Sequence, residues 1–283
     1  MNRKTFALVF VIGLTFAMYA LISSVSHDRI SRLPTADLRD SARVVVYAPA
    51  SLVDVLRAAK DSADLHRGFT VVQRFASTST LAREIVAGRG CDLFITDHPR
   101  WSDMLLDRKL LKQDSIVPLA ETRLALVAPE GKGFILEWRR GFPIGTMVDG
   151  PIALAHPEHV PAGLHARDLL QQLDWWKTVR RRLYPLANER AVLHQVELGQ
   201  AGAGFVYEVD LFSARKTELV GIAPDSIASR IEYYAFFTVN AREEAFAYLD
   251  ELQSASMQSL WTHYGFLPIM GGPDGDTDIG PDK

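Results

Sequence analysis

Disulfides are the first thing this sequence of 283 residues cannot have, because it contains a single cysteine. With one thiol the chain depends on its core for stability, and Cys91, between Gly90 and an apolar strand, reads as a small buried hydrophobe. Positive charge is not in excess either: 31 Lys and Arg stand against 34 Asp and Glu, a formal net charge of −3. That balance argues against a nucleic-acid partner, which would favour a basic domain. The only basic cluster, Lys177–Arg182, reads as a solvated helix face. No G-x-S-x-G elbow surrounds Ser51, and nothing nearby would serve it as a base, so no enzyme is expected. His156, His159 and His165 are not accompanied by cysteines or a carboxylate pattern, and no metal site and no cofactor are expected there.

What is present is an ordinary globular composition, 48% apolar and 23% charged, long enough for one large domain or two modest ones. Arg3 and Lys4 precede an apolar run from Phe6 to Val25. Residues 1–27 therefore read as an export signal, either cleaved after Ser26 or kept as a membrane anchor. No cysteine lies directly after the run, so a lipid-anchored form is not expected. Residues 270–283, nearly all Gly, Pro and Asp, read as a disordered tail.

Between these ends strands alternate with helices. Arg43–Tyr47 is a β-branched strand ending at Ala48–Ser51, and Leu52–Ala59 has apolar residues at helical spacing. The plan repeats with the strand Phe69–Phe75, the turn Ser77–Thr80 and the helix Leu81–Ala87. A third unit follows, with the strand Asp92–Thr96 and the helix Trp101–Lys112. Leu124–Ala128 carries the chain into a second lobe with strands Ile152–Ala155 and Gly204–Tyr207. Helices are expected there over Gly163–Leu173 and near Arg190–Leu198. Tyr233–Val239 returns to the first lobe, and one helix from Glu243 to Tyr264 closes it. Such alternation predicts an α/β protein with mainly parallel sheets covered on both faces. The expected division is 42–122 plus 233–269 for lobe 1 and 123–232 for lobe 2. Ligands of these sheets bind outside the carboxyl ends of the strands, where the hydroxyl-rich turns lie.

Three segments concentrate there: FASTSTLAREI (Phe75–Ile85), AHPEHVPAG (Ala155–Gly163) and GFVY (Gly204–Tyr207). Each offers hydroxyls or free backbone N–H groups where a strand meets a helix, and together they read as an uncharged cage for a small anion. Taken singly, Ser51 and Thr78 are explained as helix caps, and Tyr207 as core with its hydroxyl at the surface.

These segments, with YAPASLVDVL, CDLFITDHPRW, RLALVAP, AGFVY, PDS (Pro224–Ser226) and YGF (Tyr264–Phe266), resemble the periplasmic molybdate-binding proteins of ABC importers. The resemblance runs from about Arg43 to Pro268. It implies the type II periplasmic-binding-protein fold, two lobes joined by crossover strands near Thr122–Leu126 and Glu232–Ala235. It also implies a monomer that captures a small inorganic oxyanion, molybdate or tungstate, and delivers it to an ABC permease. The site residues it implies are Ser51, Thr78, Ala162, Glu189 and Tyr207, with hydroxyls from Ser51, Thr78 and Tyr207 and amides from Ser51, Thr78, Ala162 and Glu189.

The chain departs from the pattern in its surroundings. Thr78 stands for Ser, Glu189 for Val, His156 for Asp, and His98 for an acidic residue, while Ile227 and Tyr234 replace His and Pro. A Glu189 carboxylate would repel a dianion unless it points to solvent. The alternatives these departures leave open are a binder of another small oxyanion or acid on the same fold, or a membrane-tethered sensor without transport.

Overall fold

Two five-stranded mixed sheets organise the chain in a computed structural model that describes residues 42–63 and 69–269. The leader and the tail anticipated from the sequence lie outside the described residues. Numbered in chain order, the first sheet contains β1 (Ala42–Pro49), β2 (Phe69–Ala76), β3 (Leu93–Thr96), β4 (Val117–Thr122) and β10 (Ile231–Phe237). The second contains β5 (Leu124–Pro129), β6 (Ile152–Ala155), β7 (Leu183–Leu186), β8 (Ala203–Tyr207) and β9 (Thr217–Ile222). The orders are β2-β1-β3-β10-β4 and β7-β6-β8-β5-β9.

Each sheet has a parallel half and an antiparallel half. β2, β1 and β3 run parallel, with Ala42 opposite Phe69 and Val46 opposite Leu93. β10 runs antiparallel to β3 and β4. In the second sheet β7, β6 and β8 are parallel, while β5 is antiparallel to β8 and β9. The parallel strands are short apolar runs because helices cover both their faces. Val44, Val46 and Ala48 of β1 are fully buried, as are Ala153, Leu154 and Ala155 of β6.

The helices are α1 (Val53–Ala63), α2 (Thr78–Val86), α3 (Pro99–Asp107), α4 (Ile144–Met147), α5 (Pro161–Gln172), α6 (Trp176–Val179), α7 (Glu189–Glu197), α8 (Glu244–Leu252) and α9 (Ala255–His263). Short 3₁₀ turns cover Ala50–Leu52, Arg180–Arg182 and Glu208–Ser213. α1 places Val55, Leu56 and Ala59 on the core at helical spacing. Burying a side chain the size of Leu56 stabilises the fold by about 1.5–3 kcal/mol. Among the described residues no helix is long and apolar enough to cross a membrane.

Three expectations are revised. The segment Glu243–Tyr264 is two helices, because the Ser254 hydroxyl accepts from the Met257 N–H at 3.3 Å and starts α9 afresh. The turn Ser77–Thr80 is largely the first turn of α2, which begins at Thr78. Arg182, in the run read as a solvated helix face, instead donates to the carbonyls of Gly145, Val148 and Gly150 and pins the turn before β6.

Candidate functional site

The parallel strands of both sheets deliver their carboxyl ends to one interior. β1 runs into the turn bearing Ser51, β2 into α2 at Thr78, and β3 into Asp97. On the other side β6 leads through His156 to α5, β7 leads to α7 at Glu189, and β8 ends at Tyr207. Ser51, Thr78, Asp97, Ala162, Glu189 and Tyr207 are all buried.

Helix termini here are left largely uncapped. The first N–H groups of a helix have no partner within it. Ser77 precedes α2 but caps nothing: its hydroxyl bonds those of Ser79, at 3.2 Å, and Thr80, at 2.9 Å. Val160, before α5, has no capping group at all, and Asn188, before α7, accepts only from the Ala191 N–H at 2.9 Å. Within α5, Gly163 is required by close approach: a Cβ there would lie 2.2 Å from the Ala155 carbonyl oxygen. The glycine lets the helix start hard against the end of β6.

Side chains from the two sheets meet at Asp97. Its Oδ1 accepts from the Thr78 hydroxyl, and its Oδ2 accepts from the Tyr207 hydroxyl at 2.8 Å. His165 Nε2, one turn into α5, lies 3.2 Å from the Asp97 carbonyl oxygen. The Tyr207 ring packs edge-on to Tyr233, centroids 6.5 Å apart, and the Tyr233 hydroxyl donates to Ser51 Oγ at 2.9 Å. These contacts connect Ser51, Thr78 and Tyr207 through side chains. Ala162 joins them through α5, and the Glu189 carboxyl lies close enough to Asp97 for the two to influence each other's ionisation.

Glu189 does not point to solvent. It is 2% exposed, and its Oε1 has no hydrogen-bond partner among the described residues. Burial, reinforced by the Asp210 and Asp97 charges, pushes its carboxyl up to about 8, so it is mostly neutral at pH 7. The repulsion expected of this carboxylate is thereby relieved by a proton. Burial likewise raises Asp97 and takes Asp210 up to about 6, the latter against the pull of Arg190. Arg190 lies 2.7 Å from Asp210 and 2.8 Å from Asp54, and donates to Ser213 Oγ and the Ser51 carbonyl. It therefore ties α7 of the second sheet to the first.

His98 and His156 each accept a bond from a backbone N–H two residues on. His98 Nδ1 accepts from the Arg100 N–H at 3.1 Å, capping α3, and His156 Nδ1 accepts from the Glu158 N–H at 3.3 Å. Burial and His165 lower His98 to about 4, so it is neutral at pH 7. Among the described residues, no group of three or more His, Cys, Asp or Glu stands where it could hold a metal ion.

Sequence reasoning missed Asp97, Asp54, Arg190 and Asp210. For Asp97 a signal existed: an acidic residue at the carboxyl end of a parallel strand, level with the hydroxyl turns.

Comparison with known proteins gives a consistent picture. The family model of the bacterial extracellular solute-binding proteins matches residues 44–267. The molybdate-binding protein ModA of Escherichia coli is 31% identical over 233 residues, 81% of this chain and 90% of that protein. The ModA of Haemophilus influenzae is 30% identical over 230 residues, 80% of this chain and 90% of that protein. Among solved structures, the periplasmic molybdate-binding protein of Azotobacter vinelandii superposes with a TM-score of 0.66 at 18% identity, covering 80% of this chain and 99% of that one.

Proposed function

This chain belongs to the bacterial extracellular solute-binding protein family, and we propose that it captures a tetrahedral oxyanion between its two lobes for delivery to an ABC permease. Molybdate is the ligand that the names of the two relatives favour, and tungstate is kept beside it as an anion of the same charge and shape. The observation that carries the proposal is the convergence of the α2, α5 and α7 amino ends with the Ser51, Thr78 and Tyr207 side chains. Amides and hydroxyls of this kind hold an anion without a buried Lys or Arg to desolvate, each bond to a charged acceptor contributing about 1.5–3 kcal/mol.

Capture works by hinge closure. The chain passes between the sheets at Arg123, between β4 and β5, and again between β9 and β10. Thr122–Leu126 and Glu232–Ala235 flex as the hinge. Contacts across the lobes then favour the closed state: Tyr207 to Asp97, Arg190 to Asp54, and Arg100 to the Glu158 carbonyl at 3.0 Å. The protein works as a monomer without a cofactor, outside the cytoplasmic membrane, its leader either removed or retained as an anchor.

Competition calorimetry of the full chain with molybdate, tungstate, sulfate and phosphate tests the assignment. Heat with either of the first two supports it, and none with both withdraws it. A second reading, another small oxyanion or acid on the same fold, is favoured by one specific observation, the Asp97 carboxylate among the donors.

A further inference from the structure

Asp97 is the buried group that an uncharged cage does not account for. Thr78 and Tyr207 both donate to its carboxylate, one to each oxygen. A hydroxyl has one proton to give. Both protons are spent on Asp97, so neither can be offered to an anion while that carboxylate remains ionised.

The groups around Asp97 offset its charge only in part, through His165. From α2 comes the Thr78 hydroxyl, from β8 the Tyr207 hydroxyl, and from β10 the Tyr233 ring system beside Tyr207. From α5, His165 addresses the Asp97 carbonyl rather than its carboxylate, and His98, before α3, packs on His165 with centroids 5.1 Å apart. From α7 the nearest ionisable group is Glu189, a second carboxyl, and the adjacent Arg190 is in contact with Asp54 and Asp210. Among the described residues no Lys or Arg forms an ion pair with Asp97. An oxyanion entering this cleft meets a carboxylate of its own sign with no Lys or Arg between them.

One proton resolves the conflict. Placed between an Asp97 oxygen and a ligand oxygen, it replaces repulsion with a charge-assisted hydrogen bond. It also frees the Thr78 and Tyr207 hydroxyls to turn to the anion's remaining oxygens. We propose that Asp97 is a specificity-determining residue that holds the oxyanion through one shared proton, so that the chain binds its anion and a proton together. The inference rests on the oxyanion reading above. Anions that carry a proton at neutral pH, such as hydrogen phosphate, bring it with them. Molybdate, tungstate and sulfate need it from Asp97 or from solvent. Burial, which raises Asp97, prepares the carboxyl to hold it.

The test is calorimetry of the full-length chain with sodium molybdate, sodium tungstate, sodium sulfate and inorganic phosphate from pH 6 to pH 9. Wild-type affinity for molybdate falls by at least tenfold across that range, approaching about tenfold per pH unit once Asp97 is ionised in the free protein. Asp97→Asn, whose amide donates at every pH, loses most of the slope and binds molybdate at pH 9 more tightly than the wild type. Glu189→Gln removes only the part of the slope that arises as Glu189 loses its own proton near pH 8, and keeps the part set by Asp97. Should Asp97→Asn fail to fold, titrations of Glu189→Gln at pH 9 in buffers of different ionisation enthalpy read the same quantity, with about one proton taken up per molybdate. A flat wild-type profile, no proton uptake, or a slope that survives Asp97→Asn and vanishes in Glu189→Gln overturns the inference while leaving the oxyanion reading in place. No heat with any of the four anions at any pH withdraws that reading and this inference with it.

Discussion

The Tyr207 hydroxyl, carried on the second sheet, donates to the Asp97 carboxylate, carried on the first, across 2.8 Å, with both residues buried. If capture proceeds by closure as proposed, this one bond couples it to the state of a buried acid. Replacing Tyr207 by Phe keeps the ring and deletes the donor. Replacing Ser51 by Ala removes the acceptor of the Tyr233 hydroxyl, and the stranded group costs about 1–3 kcal/mol. Each variant is expected to stay folded by circular dichroism and to lose about tenfold or more in anion affinity by calorimetry. Unchanged affinity in both would place the ligand elsewhere.

Glu189 makes stability depend on pH. Its carboxyl is raised to about 8, above its unfolded value near 4.5, so the native state holds a proton that the unfolded chain has lost. Stability from this group is complete below about pH 4.5 and is lost as pH rises towards 8. His98, lowered to about 4, has the opposite effect but only below about pH 6.5. Between pH 6.5 and 8 the melting temperature of the anion-free protein should therefore fall. In Glu189→Gln that fall should be markedly reduced, and a wild-type melting temperature that rises over this window would contradict the assignment.

Asp54→Ala should act on closure more than on stability. Asp54 is partly exposed, and its contact with Arg190 spans the lobes, so its loss costs at most about 1 kcal/mol of folding stability. Arg190 keeps Asp210, so no buried charge is stranded. Small-angle scattering should show a larger radius of gyration without anion and recovery of the wild-type value at saturation. Identical curves for variant and wild type would remove this ion pair from the closing mechanism.

Gly163→Ala tests the seat of α5. The added methyl meets the Ala155 carbonyl, and the helix must shift, at a cost of about 1–3 kcal/mol. A lowered melting temperature together with weaker anion binding is expected. A stable variant that binds as the wild type does would show that the amino end of α5 is not part of the site.

Much of this architecture was legible because parallel strands buried on both faces read as short apolar runs, as in Arg43–Tyr47 and Ile152–Ala155. Three strands, β4, β7 and β9, were passed over. β7 is the four residues Leu183–Leu186, with Pro185 inside an edge strand, and β9 is half exposed, so neither has a clear pattern. Asp97 escaped for a different reason. Its own segment, between the end of β3 and the cap of α3, looks like any strand-to-helix turn. Its burial is created by Tyr207, 110 positions away, and only the folded chain brings them together. Arg182 likewise looks like surface charge until the carbonyls of Gly145, Val148 and Gly150 surround it.

The anion site itself is tested most directly by anomalous scattering from crystals of the full chain grown with sodium molybdate in mildly acidic buffer. The account predicts one molybdenum peak between the lobes, within hydrogen-bond reach of the Thr78, Ala162 and Glu189 amides and of the Asp97 carboxyl. A well-occupied peak elsewhere, or a closed cleft without one, would contradict it.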